Sequence, residues 1–230
     1  MLPDSKTASF GQTAPNSSLS TPRRRLIVGI SGATGVVYAI RLLQLLREAD
    51  VETHLVVSKP GEMTRAYETE MSTKDLRALA DVSYSITDVG AAISSGSFKT
   101  MGMVIAPCSI RTLSEIATGV TSTLLTRAAD VVLKERRRLV LMVRETPLHT
   151  GHLKSMLAAT ENGAIIAPPV PAFYTGAQTI DDLVDHTMGR VLDLFDIDTD
   201  VVKRWGEGEG LRVLGKAVRA EHRLDNTARL

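Results

Sequence analysis

From residue 25 to residue 58 the chain reads RLIVGISGATGVVYAIRLLQLLREADVETHLVVS. The apolar run Leu26–Ile30 predicts a buried strand, and the glycine-rich turn Ser31–Gly35 follows it directly. Val36–Arg47 has apolar residues at helical spacing and predicts a helix, after which Val51–Ser58 predicts a second strand. A strand, a tight turn, a helix and a second strand within about thirty residues are typical of the start of a doubly wound parallel sheet.

The alternation of helices and strands continues along the rest of the chain. Further strands are predicted at Val82–Ile86, Gly102–Ala106, Arg138–Val143 and Ala164–Ala167. Helices are predicted at Met63–Met71, Thr73–Ala80, Ile110–Thr118, Ser122–Arg136, His149–Glu161 and Thr179–Phe195. We therefore predict one α/β domain over residues 24–207, Rossmann-like (flavodoxin-like), with three α/β/α layers and a mainly parallel sheet. Residues 1–23 are expected to be a disordered leader, and residues 208–230 a C-terminal tail.

The bulk composition argues against several classes of function. Lys and Arg total 27 against 26 for Asp and Glu, and this balance does not favour nucleic acid as a partner. No apolar run is long enough to cross a bilayer, and the first 22 residues lack the apolar core of a secretory signal. Cys108 is the only cysteine, so an internal disulfide and a cysteine-based zinc site are excluded. We expect a cytoplasmic protein without a membrane partner.

The glycine turn Gly29–Gly35 (GISGATG) is the first candidate ligand site. Glycines allow the backbone to approach a ligand closely, and the following helix N-terminus offers N–H groups to a phosphate. The alternative is a turn that only packs the helix onto the sheet. NAD(P)-dependent short-chain reductases have similar glycines, but they need an acidic residue or an arginine near the end of the second strand, which here ends in Val57-Ser58-Lys59. They also need Tyr-x-x-x-Lys, and none of the 4 tyrosines begins that motif.

The second candidate is Ala106–Thr112 (APCSIRT), which begins at the end of a predicted strand, where open α/β sheets bind ligands. Ser109 is a plausible N-cap of the helix that follows, and Cys108 is expected to be a packed or ligand-lining thiol. His149 and His152 have no third metal ligand near them in the sequence. We expect them to form a surface pair and expect no metal site.

Basic residues and two carboxylates complete the candidates. Arg127 and Lys134 are seven residues apart and share one helix face. Arg144 ends a nearly continuous apolar strand, where a charge is costly unless a partner such as phosphate pairs with it. Glu145 and Glu68 are the acid–base candidates, although a helical glutamate such as Glu68 also fits a solvated surface.

Taken together, these segments resemble the flavin prenyltransferase (UbiX-type) family, in the family's order and over almost the whole predicted domain. The motifs that carry the resemblance are GISGATG (29–35), VSK (57–59), APCSIR (106–111), RAADVVLKERR (127–137), RETP (144–147), FY (173–174) and RWGE (204–207). The resemblance implies that reduced FMN and dimethylallyl phosphate are joined at N5 and C6 of the flavin. The product, prenylated FMN, then serves a UbiD-type decarboxylase.

The resemblance also implies roles for individual residues, which fall into three groups. FMN is expected to contact Gly32, Ala33, Thr34, Ser58, Cys108, Ser109, Ile110, Arg111 and Arg144. The prenyl phosphate is expected to contact Tyr174, Arg190, Lys134 and Arg127, the last of these donated by a neighbouring subunit. Glu68 and Glu145 correspond to residues that affect catalysis, Lys134 stabilises the leaving phosphate, and Trp205 lines the prenyl site. Family members commonly form dodecamers, so a homo-oligomer is expected.

Two other functions remain open. Flavin-dependent cysteine decarboxylases share the fold and FMN, but they carry a Pro-Ala-Ser-Ala-Asn-Thr stretch where this chain has Pro107–Thr112 (PCSIRT). A non-catalytic flavin-binding subunit would bind FMN without turnover. For the prenyltransferase itself, both dimethylallyl monophosphate and dimethylallyl diphosphate remain possible donors.

Overall fold

The computed structural model describes residues 23–204 and has a sheet of six strands that are all parallel. The strands are β1 (Arg25–Ile30), β2 (Glu52–Val57), β3 (Val82–Tyr84), β4 (Gly102–Cys108), β5 (Arg138–Val143) and β6 (Ala164–Ile166). Their spatial order is β3-β2-β1-β4-β5-β6. The predicted α/β fold is therefore confirmed, with the sheet wholly rather than mainly parallel. The leader, the tail, Trp205 and Glu207 lie outside the described residues.

Seven helices of the described chain cover the two faces of the sheet. They are α1 (Val36–Glu48), α2 (Lys59–Glu68), α3 (Thr73–Ala78), α4 (Ile110–Thr118), α5 (Leu124–Lys134), α6 (Thr150–Glu161) and α7 (Ile180–Asp193). Short 3₁₀ turns occur at Ala92–Ser94 and Phe173–Thr175. No helix in this part of the chain is long and apolar enough to cross a membrane.

The two helical layers have separate cores because successive strand residues face opposite sides of the sheet. In β1, Leu26, Val28 and Ile30 pack in one core with α1 and α7, whereas Ile27 belongs to the other core with α4 and α5. The same alternation continues in β4 and β5. This arrangement is the predicted three-layer α/β/α architecture.

Helix α2 begins earlier than the predicted helix Met63–Met71. Pro60 lies in the first turn of this helix, where proline is tolerated because its missing N–H needs no partner. Ser58 caps this turn, and its hydroxyl accepts a hydrogen bond from Gly61 N at 3.0 Å. The helix therefore starts at Lys59, directly after β2, and its first turn faces the end of β1.

Candidate functional site

The crevice of this sheet lies at the carboxyl ends of β1 and β4. The chain runs from β1 outward through β2 and β3 and then crosses to β4, so the connections leave β1 and β4 in opposite directions. Such a switch point is where open α/β sheets bind their ligands. A cavity of about 310 Å³ opens here, lined by Gly32, Ser58, Lys59, Pro60, Ile86, Thr87, Ser109, Arg111, Thr112, Glu115, Thr123, Leu125 and Thr126.

The predicted motifs Gly29–Gly35, Val57–Lys59 and Ala106–Arg111 each contribute lining residues to this one cavity. Residues that the sequence did not indicate also line it, namely Ile86, Thr87, Thr123, Leu125 and Thr126. Thr123 and Thr126 form the capping box that starts α5. A Thr-x-x-Thr pair before an apolar run was visible in the sequence as a helix start, but nothing in it indicated which cavity that start would face.

Ser31 joins the two loops that border the cavity. Its side chain is buried, and its hydroxyl donates to Pro107 O at 3.0 Å and accepts from Ser109 N at 2.7 Å. Ser109 in turn caps α4 by accepting from Thr112 N at 3.3 Å, as predicted. One hydroxyl therefore fixes the end of β4 and the start of α4 against the glycine turn.

Gly32 lies where the glycine turn meets α2. A side-chain carbon at this position would stand 2.3 Å from Cβ of Pro60, which is closer than real contacts allow. Ser58 N donates to Ile30 O at 2.9 Å and continues the pairing of β1 with β2 to the edge of the cavity. The glycine is thus required for the close approach of two backbone segments at the ligand crevice.

The N-terminus of α1 is not open in the way the glycine turn suggested. The Glu68 carboxylate accepts from Gly35 N at 2.9 Å and from Val36 N at 3.0 Å. Because the first N–H groups of a helix favour negative charge, an internal carboxylate takes the place that was predicted for a phosphate. Glu68, which is otherwise exposed at the end of α2, is thereby tied to the glycine turn.

The cysteine and arginine of the second motif differ sharply in their surroundings. Cys108 is fully buried, and this burial raises the pKa of its thiol far above the usual value. A thiol held neutral in this way is a poor nucleophile. Of the two predicted alternatives, a packed or a ligand-lining thiol, the burial fits the packed one, and Cys108 is not among the residues that line the cavity. Arg111 is exposed and pairs with Glu115 at 3.0 Å on the cavity rim.

Arg144 lies beside the glycine-turn helix. Its backbone N–H donates to Cys108 O at 3.0 Å. Burial raises the pKa of the Tyr38 hydroxyl on α1, and the nearby positive charge of Arg144 partly offsets this rise. Within residues 23–204 the structure shows no hydrogen bond or ion pair of the Arg144 guanidinium. The adjacent Glu145 is exposed, and its carboxylate accepts from Thr146 N at 3.1 Å. This arginine and carboxylate are available to a ligand.

The four residues predicted to hold the prenyl phosphate are divided between the two faces of the sheet. Arg127 and Lys134 belong to α5, where they pair with Asp130 at 2.7 Å and with Glu135 at 2.6 Å. Lys134 also borders a second cavity, of about 290 Å³, which is separate from the crevice. Tyr174 and Arg190 belong to the helical layer on the opposite side of the sheet, where Tyr174 lies next to α7 and Arg190 lies on α7 itself. The fold of one chain does not bring this set together.

On the α7 layer, Tyr174 lies in the 3₁₀ turn that follows the proline-rich loop. The ring of His186 on α7 meets the Tyr174 ring edge-on, with centroids 6.0 Å apart. Nζ of Lys203 donates to Thr175 O at 3.1 Å. His149 and His152 stack at 3.6 Å between centroids at the start of α6, and no group of three possible metal-ligating side chains occurs in the described residues.

Known proteins resemble this chain over nearly all of the described fold. A family model described as Flavoprotein matches residues 14–192. The flavin prenyltransferase UbiX of Salmonella typhimurium is 60% identical over 185 residues, which cover 79% of this chain and 98% of that protein. The crystal structure of AnUbiX (PadA1) in complex with FMN and dimethylallyl pyrophosphate has a TM-score of 0.79 at 52% identity, and the match covers 81% of this chain and 99% of that one.

A second solved structure is similar over the same region. The dodecameric FMN-dependent UbiX-like decarboxylase from Escherichia coli O157:H7 has a TM-score of 0.77 at 50% identity. The match covers 80% of this chain and 100% of that chain. Each of these relatives is therefore matched almost from end to end.

Proposed function

This chain belongs to the UbiX family of flavin prenyltransferases, and we propose that it joins a dimethylallyl group from dimethylallyl phosphate to N5 and C6 of reduced FMN. The observation that carries the proposal is the crevice at the ends of β1 and β4. Three of the family's motifs, on separate parts of the sequence, line this one cavity. Two curated relatives, matched over 95% and 98% of their length, are flavin prenyltransferases.

The crevice fits a flavin in size and in chemistry. Its volume of about 310 Å³ is at the lower end of the range for cofactor sites, and it combines apolar surface from Ile86 and Leu125 with several hydroxyl groups. The close packing of Gly32 on Pro60 keeps the cavity wall free of a side chain at that point. The Arg144 guanidinium, which has no ion pair among residues 23–204, supplies a positive charge near the flavin ring.

Reduced FMN supplies the nucleophilic atoms, and the side chains supply charge and proton transfer. The allylic C–O bond of the donor breaks as its carbon bonds to N5, which loses a proton. The prenyl C=C bond then takes up a proton and its tertiary carbon bonds to C6, which also loses a proton. One proton in all therefore leaves with the phosphate. Lys134, Arg190 and the Tyr174 hydroxyl stabilise the leaving phosphate, so no metal is required. Trp205 offers an aromatic face to the developing allyl cation. Glu145 moves the proton between flavin and phosphate, a role that suits an exposed carboxylate next to Arg144.

We further propose that the phosphate site is completed by a second copy of the chain. Lys134 and Arg127 lie on one face of the sheet, and Tyr174 and Arg190 on the other, so assembly is needed to unite them. The dodecameric relative supports a homo-oligomer of this size. A UbiD-type decarboxylase as recipient of the product, and a cytoplasmic location, remain proposals that follow from the family.

The decisive test is anaerobic incubation of the purified protein with reduced FMN and dimethylallyl phosphate, followed by mass spectrometry of the released flavin. We expect a flavin heavier by one five-carbon unit. Unmodified FMN with the monophosphate, and again with the diphosphate, would contradict prenyl transfer. In that case the proposed function would become that of a flavin-dependent decarboxylase or of a non-catalytic flavin-binding subunit.

The role of Glu145 is tested in the same assay with Glu145→Gln. We expect prenyl transfer to slow by about a hundredfold, because general acid–base catalysis typically contributes 10²–10⁴-fold, while FMN binding is retained. Glu161→Gln, at the exposed end of α6, is the matched control and should leave the rate unchanged. An unchanged rate in Glu145→Gln would remove this residue from the proton pathway.

A further inference from the structure

Asp193, the last residue of α7, accepts hydrogen bonds from two arginines. Its Oδ2 lies 2.5 Å from Nη1 of Arg190, one helical turn earlier. Arg204 binds both carboxylate oxygens, with Nη2 2.8 Å from Oδ1 and Nη1 3.0 Å from Oδ2. The Asp193 side chain is only 16% exposed, and hydrogen bonding from Arg204 is the main reason that its pKa is lowered. The carboxylate is therefore ionised and shared.

We propose that Asp193 is a positioning residue of the prenyl-phosphate site, which orients Arg190 and anchors the chain segment that ends at Arg204. This inference rests on the proposed role of Arg190 in holding the phosphate. It assigns a function to a carboxylate that the family motifs quoted above do not include.

The geometry leaves Arg190 able to bind a second anion. A guanidinium has five N–H donors in one plane, and Asp193 engages Arg190 through Nη1. The side chain of Arg190 is 57% exposed, so without Asp193 it would sample many rotamers. A carboxylate that holds one edge of the guanidinium directs the remaining donors and reduces the entropy lost when phosphate binds.

The segment anchored by Arg204 also reaches Tyr174. Lys203, the residue before Arg204, donates from Nζ to Thr175 O at 3.1 Å, within the turn that carries Tyr174. Lys203 thus holds the turn that carries Tyr174, while the next residue, Arg204, holds the end of α7. The anchor on Asp193 therefore sets the spacing between the two candidate phosphate ligands on this face of the chain.

Simple charge attraction and positioning predict opposite effects of Asp193→Asn. The substitution removes a negative charge beside two guanidinium groups, so attraction alone predicts tighter binding of a phosphate dianion. Loss of positioning predicts weaker binding, because Arg190 loses its carboxylate partner and Arg204 loses the same carboxylate, although it keeps its longer contact with Asp198, at 3.5 Å. The direction of the change therefore distinguishes the two effects.

The experiment measures the KM for dimethylallyl phosphate, the dissociation constant of inorganic phosphate and the dissociation constant of FMN for the full chain and for Asp193→Asn. We expect KM and the phosphate constant to rise by about tenfold, the usual scale for a lost charge-assisted hydrogen bond, with kcat less affected and FMN binding unchanged. Asp196→Asn is the control, since Asp196 forms an exposed pair with Arg138 at 2.6 Å and has no contact with Arg190. An unchanged or lower KM would overturn the positioning of Arg190.

Acrylamide quenching of Trp205 fluorescence tests the anchor independently of activity. Trp205 is the only tryptophan and directly follows Arg204, so its quenching reports on this segment without background. We expect stronger quenching in Asp193→Asn than in Asp196→Asn, and equal quenching would overturn the anchor.

If Asp193→Asn fails to bind FMN, the measurements are made with Asp193→Glu, which keeps the charge but displaces the carboxylate. If the unaltered chain makes no prenylated flavin, the proposed function fails, while phosphate binding and quenching still decide the role of Asp193.

Discussion

At the scale of single residues, the buried hydroxyl of Ser31 connects two parts of the flavin crevice that are 78 residues apart in sequence. Ser31→Ala removes the hydrogen bonds to Pro107 O and from Ser109 N; Pro107 O still accepts from Ser31 N at 3.2 Å, so Ser109 N is the group that loses its partner. Unsatisfied buried groups of this kind cost about 1–3 kcal/mol. We expect FMN affinity to fall by about tenfold, measured by fluorescence titration, and the midpoint of urea unfolding to decrease.

Ser83→Ala is the matched control for this prediction, because Ser83 is exposed on the edge strand β3. It should change neither FMN affinity nor the unfolding midpoint. Wild-type FMN affinity in Ser31→Ala would show that the bridge between the two loops does not shape the crevice.

His54 makes the stability of the fold sensitive to acid. It is buried in β2, with Nδ1 2.9 Å from the Tyr84 hydroxyl and Nε2 2.9 Å from a Glu52 carboxylate oxygen. Burial lowers its pKa below the usual 6.5, although the hydrogen bond to Glu52 opposes the shift. When the pH lies between the lowered pKa of His54 in the folded protein and its usual pKa of 6.5 in the unfolded chain, the unfolded state binds more protons. The stability contribution is thus complete above pH 6.5 and is lost as the pH falls toward the folded pKa.

His54→Gln removes this titration and keeps a polar side chain. We expect the free energy of unfolding, measured with urea at several pH values, to fall less steeply than in the unaltered chain as the pH is lowered below about 6.5. Some dependence should remain, because burial also lowers the pKa of His186. His149→Gln, at an exposed position, serves as control. Equal slopes for His54→Gln and the unaltered chain would contradict the prediction.

At the scale of elements, the approach of α2 to the glycine turn sets one wall of the crevice. Gly32→Ala would place a methyl group 2.3 Å from Cβ of Pro60, and the clash falls on a ring that cannot rotate away. We expect α2 to shift and FMN affinity to fall by more than about tenfold, since overpacking typically costs 1–3 kcal/mol. Gly90→Ala is the control, because the nearest atom there is 3.8 Å away. Retained FMN affinity in Gly32→Ala would mean that this wall adapts.

The elements that the sequence predicted best are those whose boundaries depend on local signals. Ile110–Thr118 and Arg138–Val143 match α4 and β5 at both ends, because a serine N-cap starts the helix and an unbroken apolar run defines the strand. The start of α2 was predicted four residues too late, since Pro60-Gly61 can break a helix or open one. The carboxylate of Glu68 at the start of α1 was not predicted, because a contact across 33 residues leaves no periodic signal.

At the scale of the whole molecule, the sequence patterns were sufficient to predict the layers and the flavin crevice, whereas the expectation that a neighbouring subunit contributes to the phosphate site came only from the family resemblance. Parallel strands with alternating helices place the ends of β1 and β4 together in any doubly wound fold. The sequence also identified Lys134 and Tyr174, yet their separation on opposite faces of the sheet emerges only from the packing of α5 and α7 into different cores. The proposed site therefore depends on contacts between chains, which no hydrophobic period or turn signal within one chain encodes.

The division of the phosphate site predicts that two inactive variants restore each other. We expect Lys134→Ala and Arg190→Ala each to lose prenyl transfer alone. Co-expression with different tags, followed by tandem purification of mixed oligomers, should return activity toward about a quarter of the sites, because random assembly pairs two intact halves with that frequency. Tyr174→Phe mixed with Arg190→Ala is the matched control. Both residues lie on the α7 layer, so every subunit in that mixture carries a damaged α7 half and no recovery is expected. Recovery in neither mixture would contradict a phosphate site in which one chain supplies Lys134 and another supplies Arg190.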